Sequence, residues 1–321
     1  MPNTKKIIAV VGATGAQGGG LVRAILNDPK KRFRARAITR DTKSKKAMAL
    51  KELGAEVVKA DLDDVESLKK AFDGAYGAYC VTNFWEHFAP EREISQATNM
   101  AKAASYEAVE HIIWSTLEDT RQWVPLSDKS MPTLMRKYKV PHYDAKGEAN
   151  REFTRRELPV TFFLTSYYWD NLIHFGAEPK RDADGVLAFT LPMADKRLPG
   201  IAAEDIGKCA LGVFTRPREY IGETVGVAGG HLTGEQMARA IGKALGQKVR
   251  YHAVEPAEYA QFGFPGAADL ANMYQFKRDF NDYYCGARDL DESRALNPDL
   301  MSFDAWLQRY KDQIPVDRAA A

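Results

Sequence analysis

A chain of 321 residues, 45% hydrophobic and 27% charged, is long enough for one substantial core with a smaller elaboration and carries no polar tract that would keep it unfolded. The 45 Lys and Arg against 43 Asp and Glu leave a formal charge of +2, without the basic excess that direct binding of nucleic acid requires. Cys80, Cys209 and Cys285 are too few and too scattered for a disulfide framework or a zinc site, no apolar run reaches the length of a membrane span, and the start Met1-Pro2-Asn3-Thr4-Lys5-Lys6 leaves no room for a secretory signal, so the expected home is the cytoplasm, with the nucleus left open.

In chain order, β-rich apolar segments at 7–11, 34–39, 56–60, 77–82, 111–115 and 160–165 alternate with stretches of helical periodicity. This is the pattern of repeated βαβ units, and it predicts an α/β fold with a Rossmann-type, doubly wound parallel sheet. Past Asn171 the rhythm loosens into a strand at 186–191, a helix at 204–214, a strand at 224–228 and a helix at 234–245, which predicts a smaller mixed α/β C-terminal lobe. The expected division is 1–170 and 171–321, with the chain weaving between the two because no linker separates them. The last residues, 316–321, carry no packing pattern and are expected to fray.

Directly after the first strand stands Gly12-Ala13-Thr14-Gly15-Ala16-Gln17-Gly18, followed by the helical run Leu21-Val22-Arg23-Ala24-Ile25-Leu26. Glycines at this spacing allow a tight turn, close approach of backbone to a pyrophosphate and close contact of helix with strand. The unpaired N–H groups and dipole of the helix start favour the anion. The bland alternative is a flexible turn; the position between first strand and first helix argues against it.

At the end of the second strand, where an acid would meet the ribose 2′-hydroxyl of NAD, the chain has Thr39-Arg40-Asp41. A guanidinium pairs with a 2′-phosphate, so Arg40 favours NADP(H) over NAD(H). Lys43, Lys45 and Lys46 add positive field, or form a solvated helix face. Asp61 and Leu62 follow the third strand and can meet adenine, with a helix cap as the alternative for Asp61; Thr82, Asn83, Phe84 and Trp85 follow the fourth and can border the ribose and nicotinamide.

The glycine turn with Gln17, Thr39-Arg40, Thr82-Asn83-Phe84-Trp85-Glu86 and the distant Phe262-Gly263-Phe264-Pro265-Gly266-Ala267-Ala268-Asp269-Leu270-Ala271-Asn272-Met273 resemble the NmrA-like family of atypical short-chain dehydrogenase/reductases. The resemblance covers about residues 4–310 and is greatest to the animal NmrA-like redox-sensor branch. It implies cofactor contacts at Gly12 to Gln17, Arg40, Asp61, Leu62, Thr82, Asn83, Phe84, Lys146, Tyr168, Trp169, Asp170 and Asn171. One departure is visible: where that branch carries a cofactor-contacting lysine near the start of its fourth helix, this chain has Ser95.

An ordinary enzyme of the wider superfamily uses a serine after the fifth strand and a Tyr-x-x-x-Lys pair as proton donor. Here Ser115 or Thr116 stands at the strand end, but the residue four before Lys146 is His142, and Tyr143 is out of register. His142 can serve as an acid, since imidazole titrates near neutrality, or can be a structural histidine. His87, His111, His142, His174, His231 and His252 show no metal-site spacing, and no Gly-x-Ser-x-Gly elbow occurs. Tyr167, Tyr168 and Trp169, with Phe84 and Trp85, form either a wall of the nicotinamide site or core between the lobes. By the resemblance, the first expectation is an NADP(H)-binding redox sensor that alters its grip on a protein partner, a transcription factor or a metabolic enzyme, with a homodimer as a further expectation; the second is an NADPH-dependent reductase of a quinone or carbonyl compound with His142, Lys146 and Ser115 at its centre.

Overall fold

The computed structural model describes residues 5–316; the expected fraying of 317–321 and the start at 1–4 lie outside the described residues. Seven parallel strands form the main sheet: β1 (Lys6–Val10), β2 (Phe33–Thr39), β3 (Glu56–Lys59), β4 (Gly77–Cys80), β5 (His111–Thr116), β6 (Val160–Leu164) and, from far along the chain, Thr224–Gly226. Their spatial order is β3-β2-β1-β4-β5-β6 and then Thr224–Gly226, so the direction of winding reverses between β1 and β4. That reversal opens a crevice above the carboxyl ends of β1 and β4, where open α/β sheets bind ligands. The interior strand β5 is buried at all six positions, as a parallel strand covered on both faces must be.

Helices α1 (Ala16–Asn27), α2 (Lys45–Glu52), α3 (Val65–Phe72), α4 (Pro90–Tyr106) and α5 (Pro141–Thr154) follow β1 to β5 in turn. Leu21, Val22 and Ile25 of α1 pack on one face of the sheet, and Leu68, Met100, Ala104, Ala149 and Phe153 of α3, α4 and α5 on the other. The fold class predicted from the alternation is the one observed, with each predicted strand range of the main sheet moved by one or two residues at an end. β4 stops at Cys80, two residues before the expected end, and β6 at Leu164, one residue before it.

Beyond β6 come β7 (Tyr167–Tyr168), α6 (Asn171–His174), β8 (Lys180–Arg181), β9 (Leu187–Leu191), β10 (Arg197–Ile201), α7 (Ala203–Phe214), α8 (Pro217–Tyr220), β11 (the Thr224–Gly226 strand already in the main sheet), β12 (Gly230–Thr233), α9 (Gly234–Leu245), β13 (Val249–Ala253), α10 (Pro256–Tyr259), α11 (Ala267–Asp279), α12 (Asn281–Gly286), α13 (Leu290–Leu296) and α14 (Phe303–Tyr310). Two small mixed sheets, β12-β10-β7 and β13-β9-β8, share a core with α9, α11, α12 and α14 built around Trp169, Phe276, Tyr284 and Trp306. A buried bidentate pair, Arg288 to Glu118 at 2.7 and 3.1 Å, ties this lobe to the segment that leaves β5.

Helix α7, although late in sequence, packs directly on α1. Their crossing is so close that a Cβ at Gly207 would lie 2.1 Å from the Leu21 backbone nitrogen, and one at Gly20 would lie 3.1 Å from the Glu204 carbonyl oxygen. Substituting Gly207 by alanine is therefore expected to destabilise the chain by about 1–3 kcal/mol through forced separation of the helices, read as a lower urea midpoint at unchanged slope.

Candidate dinucleotide site

The turn between β1 and α1 has the shape an anion cradle needs. Gly12 takes a left-handed φ of +64°, and the Gly15 amide donates to the Gly12 carbonyl at 2.9 Å, closing the turn. A Cβ at Gly18 would come within 2.5 Å of the Gly12 oxygen, so only glycine lets the helix start this close to the strand. Gly15 caps α1 without a side-chain hydrogen bond, and the first-turn amides of a helix have no intrahelical acceptor. Gly12, Gly15 and Ala16 are exposed, Thr14 is half-buried and Ala13 is buried; the turn presents backbone donors to solvent at the positive end of α1.

Gln17 faces inward. Its Oε1 accepts from the Tyr79 hydroxyl and, at 2.8 Å, from the Ser115 hydroxyl, while its Nε2 donates to the Tyr168 hydroxyl at 2.6 Å. Three predicted residues, Gln17, Ser115 and Tyr168, thus meet beneath the turn. Ser115 is spent on holding Gln17, and Thr116 on Asn150 at 2.7 Å and the Lys146 carbonyl at 3.1 Å, which fixes α5 on the sheet.

Arg40 projects from the end of β2, more than half exposed, and pairs with Glu86 from the helical turn Phe84–Glu86 that follows β4. That pairing, outweighing partial burial, raises the guanidinium's pKa. Asp61 is exposed and accepts from the Asp63 amide at 3.0 Å; the cap of α3 is Asp64, which accepts from the Glu66 and Ser67 amides. The Leu62 carbonyl accepts from Asn99 at 2.9 Å. Ser95 is exposed on α4, and Arg92, one turn earlier on the same helix, is bound to Asp63 at 2.6 Å.

Deeper in the crevice, Lys146 of α5 donates to the Thr82 hydroxyl at 2.6 Å and pairs with Glu93 of α4 at 2.9 Å. Glu93 is fully buried and also accepts from Thr82 at 2.5 Å. His87 accepts the Ala89 amide at Nδ1, so its proton sits on Nε2, 3.4 Å from the other Glu93 oxygen. Burial alone would raise the Glu93 pKa, but Lys146, His87 and Thr82 outweigh it and hold the carboxyl at about 2.

One helical turn before Lys146, the His142 ring lies 4.7 Å from the Trp85 ring and 5.9 Å from that of Phe84. Its Nδ1 is 2.6 Å from Oδ1 of Asp269, and its backbone amide donates to Oδ2 at 3.2 Å. A carboxylate only accepts, so Nδ1 carries a proton and Nε2 is the nitrogen left for exchange. Both residues are buried. Asp144 clamps the start of α5 by accepting from Thr120, Lys139 and Val140, and Asn272 of α11 donates to the Pro132 and Lys139 carbonyls at 2.9 and 2.6 Å. Tyr143 faces the other way, its hydroxyl 3.0 Å from that of Tyr284 in the C-terminal lobe.

The remaining predicted residues divide. Asn83 is exposed at the crevice and Phe84 is buried below it. Trp169 turns its indole into the C-terminal core, where a Cβ at Gly200 would lie 2.3 Å from its Nε1; its side chain is core, the second of the two alternatives. Asp170 accepts the Ala203 amide at 2.8 Å, at the start of α7, and Asn171 opens α6. Sequence reasoning missed Glu86, Glu93 and Asp269 as site residues. Glu93 had a readable signal, since 93, 97, 100, 101 and 104 form the buried stripe of α4 and a charge on such a stripe demands a partner.

The model of the NmrA-like family matches residues 4–307. The chain is 31% identical, over 84% of its length and 83% of the relative's, to the NmrA-like family domain-containing oxidoreductase FrzB of Cladobotryum sp. Among solved structures it is similar to Nmra, a negative transcriptional regulator solved with NAD and with NADP (TM-score 0.77, 23% identity, 95% of this chain and 94% of that one). It is also similar to the NADPH-dependent quinone oxidoreductase QOR2 of Escherichia coli complexed with NADPH (TM-score 0.71, 19% identity, 96% and 100%). Among the described residues no helix is long and apolar enough to cross a membrane.

Proposed function

The chain belongs to the NmrA-like family, and from that premise we propose that it is an NADP(H)-dependent reductase of a quinone or carbonyl acceptor in which His142 provides the proton and Asp269 holds that histidine. The observation that carries this reading is the buried His142–Asp269 pair at 2.6 Å, one helical turn ahead of Lys146, where the superfamily's proton-donating tyrosine would stand.

The residues present fit a nicotinamide dinucleotide: the cradle that a Gly18 Cβ would fill, the open amides at the start of α1, and donors on Lys146 at the crevice. Arg40 supports NADP(H) over NAD(H), because a guanidinium pairs with a 2′-phosphate. When bound, NADPH supplies a hydride to an electrophilic carbon. His142 holds a proton on Nε2 and releases it to the acceptor oxygen. Asp269 fixes the ring through Nδ1, and a carboxylate there favours the imidazolium. Thr82 and Glu93 hold Lys146 in place as a donor to ribose hydroxyls. That relatives such as FrzB are named oxidoreductases supports the same class.

A second reading, a cofactor-state sensor acting on a protein partner, is favoured by one observation. The turn after β4 binds Arg40 through Glu86, while its Trp85 packs where a Gly266 Cβ would be 2.8 Å from the indole at the start of α11. Occupancy at Arg40 thereby bears on the C-terminal lobe. The test is to mix the purified protein with NADPH and a panel of quinones and aldehydes, following the absorbance of reduced nicotinamide. Consumption matched by product supports the reductase; silence across the panel alongside tight NADPH binding by calorimetry leaves the sensor.

A further inference from the structure

We propose that Glu86 is a specificity-determining residue for the nucleotide: as the internal counter-ion of Arg40 it holds down the preference for a 2′-phosphate over a 2′-hydroxyl. The inference rests on the reading of Arg40 as the residue that meets the 2′-phosphate.

Glu86 reaches Arg40 across the crevice, from the turn after β4 to the end of β2. Both side chains are open to water, at 58% and 42% exposure, so an entering anion can exchange with the carboxylate. The carboxylate cannot retreat far. Phe84 is buried, the His87 and Phe88 amides both donate to the Phe84 carbonyl at 3.1 and 2.8 Å, and Trp85 is packed against Gly266 and the His142 ring. A phosphate arriving at Arg40 therefore gains a guanidinium but keeps an acid beside it.

Lys43, Lys45 and Lys46, exposed beyond Arg40, add a field that Glu86 does not alter, while across the crevice the surroundings give little compensation. Asp61 and Glu86 both act on Arg40, and Arg92, the second guanidinium in reach, is already bound by Asp63 at 2.6 Å. Two guanidiniums thus stand among three carboxylates. A ribose 2′-hydroxyl meets no such penalty, because it can donate to a carboxylate. Arg40 attracts the phosphate and Glu86 moderates the attraction, which keeps the subsite open to both forms of the dinucleotide.

The test is calorimetric binding of NADPH and NADH to the full chain and to Glu86→Gln and Glu86→Asp, at low and high salt. Glu86→Gln is expected to tighten NADPH by about three- to tenfold, with NADH unchanged within about twofold, and the gain is expected to shrink as salt rises. Glu86→Asp keeps the charge and is expected to stay nearer the unaltered chain than Glu86→Gln does. Adenosine 2′,5′-bisphosphate should show the NADPH gain and 5′-AMP should not, placing the effect at the ribose. A ratio of NADPH to NADH affinity that stays the same or falls in Glu86→Gln overturns this inference and leaves the cofactor reading standing. Absence of binding of either dinucleotide by the unaltered chain overturns both.

Discussion

On the proposed reductase reading, replacing His142 with phenylalanine is expected to lower turnover in NADPH-dependent reduction by about two to four orders of magnitude and to leave NADPH affinity within about twofold, because the change removes the proposed proton donor and keeps a ring against Trp85. The split between turnover and binding distinguishes the donor from a residue that merely shapes the crevice. Asp269→Asn is expected to lie between, with a loss of roughly ten- to a hundredfold. The amide oxygen can still accept from Nδ1, but the charge that favours the imidazolium is gone. Steady-state rates with one accepting quinone or aldehyde, beside calorimetric NADPH binding, check all three proteins. Full turnover in His142→Phe would remove the histidine from the mechanism and return the proton to water.

The second large effect concerns Glu93. Glu93→Ala strands the Lys146 ammonium in a buried site, and loss of one member of such a pair costs about 3–5 kcal/mol, enough to unfold a marginal chain. The same pair makes the fold sensitive to acid. The carboxyl titrates near 4.5 when unfolded and at about 2 when folded, so its contribution is complete above pH 5 and is lost as pH falls from about 4.5 to 2. Urea midpoints between pH 6 and 3 should therefore fall more steeply for the unaltered chain than for Glu93→Gln, in which no proton is taken up at that position. Parallel slopes would show that the pair does not govern the acid limb.

The Rossmann half was legible because its signals are local. Each strand is a short apolar run, each crossover a periodic stretch, and the glycine turn sits at the one junction where its backbone freedom matters. The C-terminal lobe was less so. Residues 197–201 read Arg-Leu-Pro-Gly-Ile, a sequence that looks like a turn, yet they form the middle strand of a small sheet. Pro199 is tolerated there because only one neighbour pairs at that position, and Gly200 because the Trp169 indole takes the space of a side chain.

The crevice divides the same way. Gln17, Arg40, Thr82 and Lys146 stand at strand ends or on a helix whose phase is readable. Asp269 does not: it meets His142 from 127 residues away, and only the packing of α11 on the start of α5 brings them together. The sequence showed that Tyr143 was out of register; it gave no sign that His142 had acquired an acid to orient it.

The contact of α1 with α7, and the arrival of the seventh strand from residues 224–226, also constrain how the molecule is made. When residues 5–170 have left the ribosome, β6 is an open edge and the outer surface of α1 lacks its cover, although β1 is already flanked by β2 and β4. Synthesis must proceed through α7, Ala203–Phe214, before that helix is braced. A chain ended after residue 170 is therefore expected to expose the β6 edge and the outer face of α1, and to aggregate more readily than the full chain.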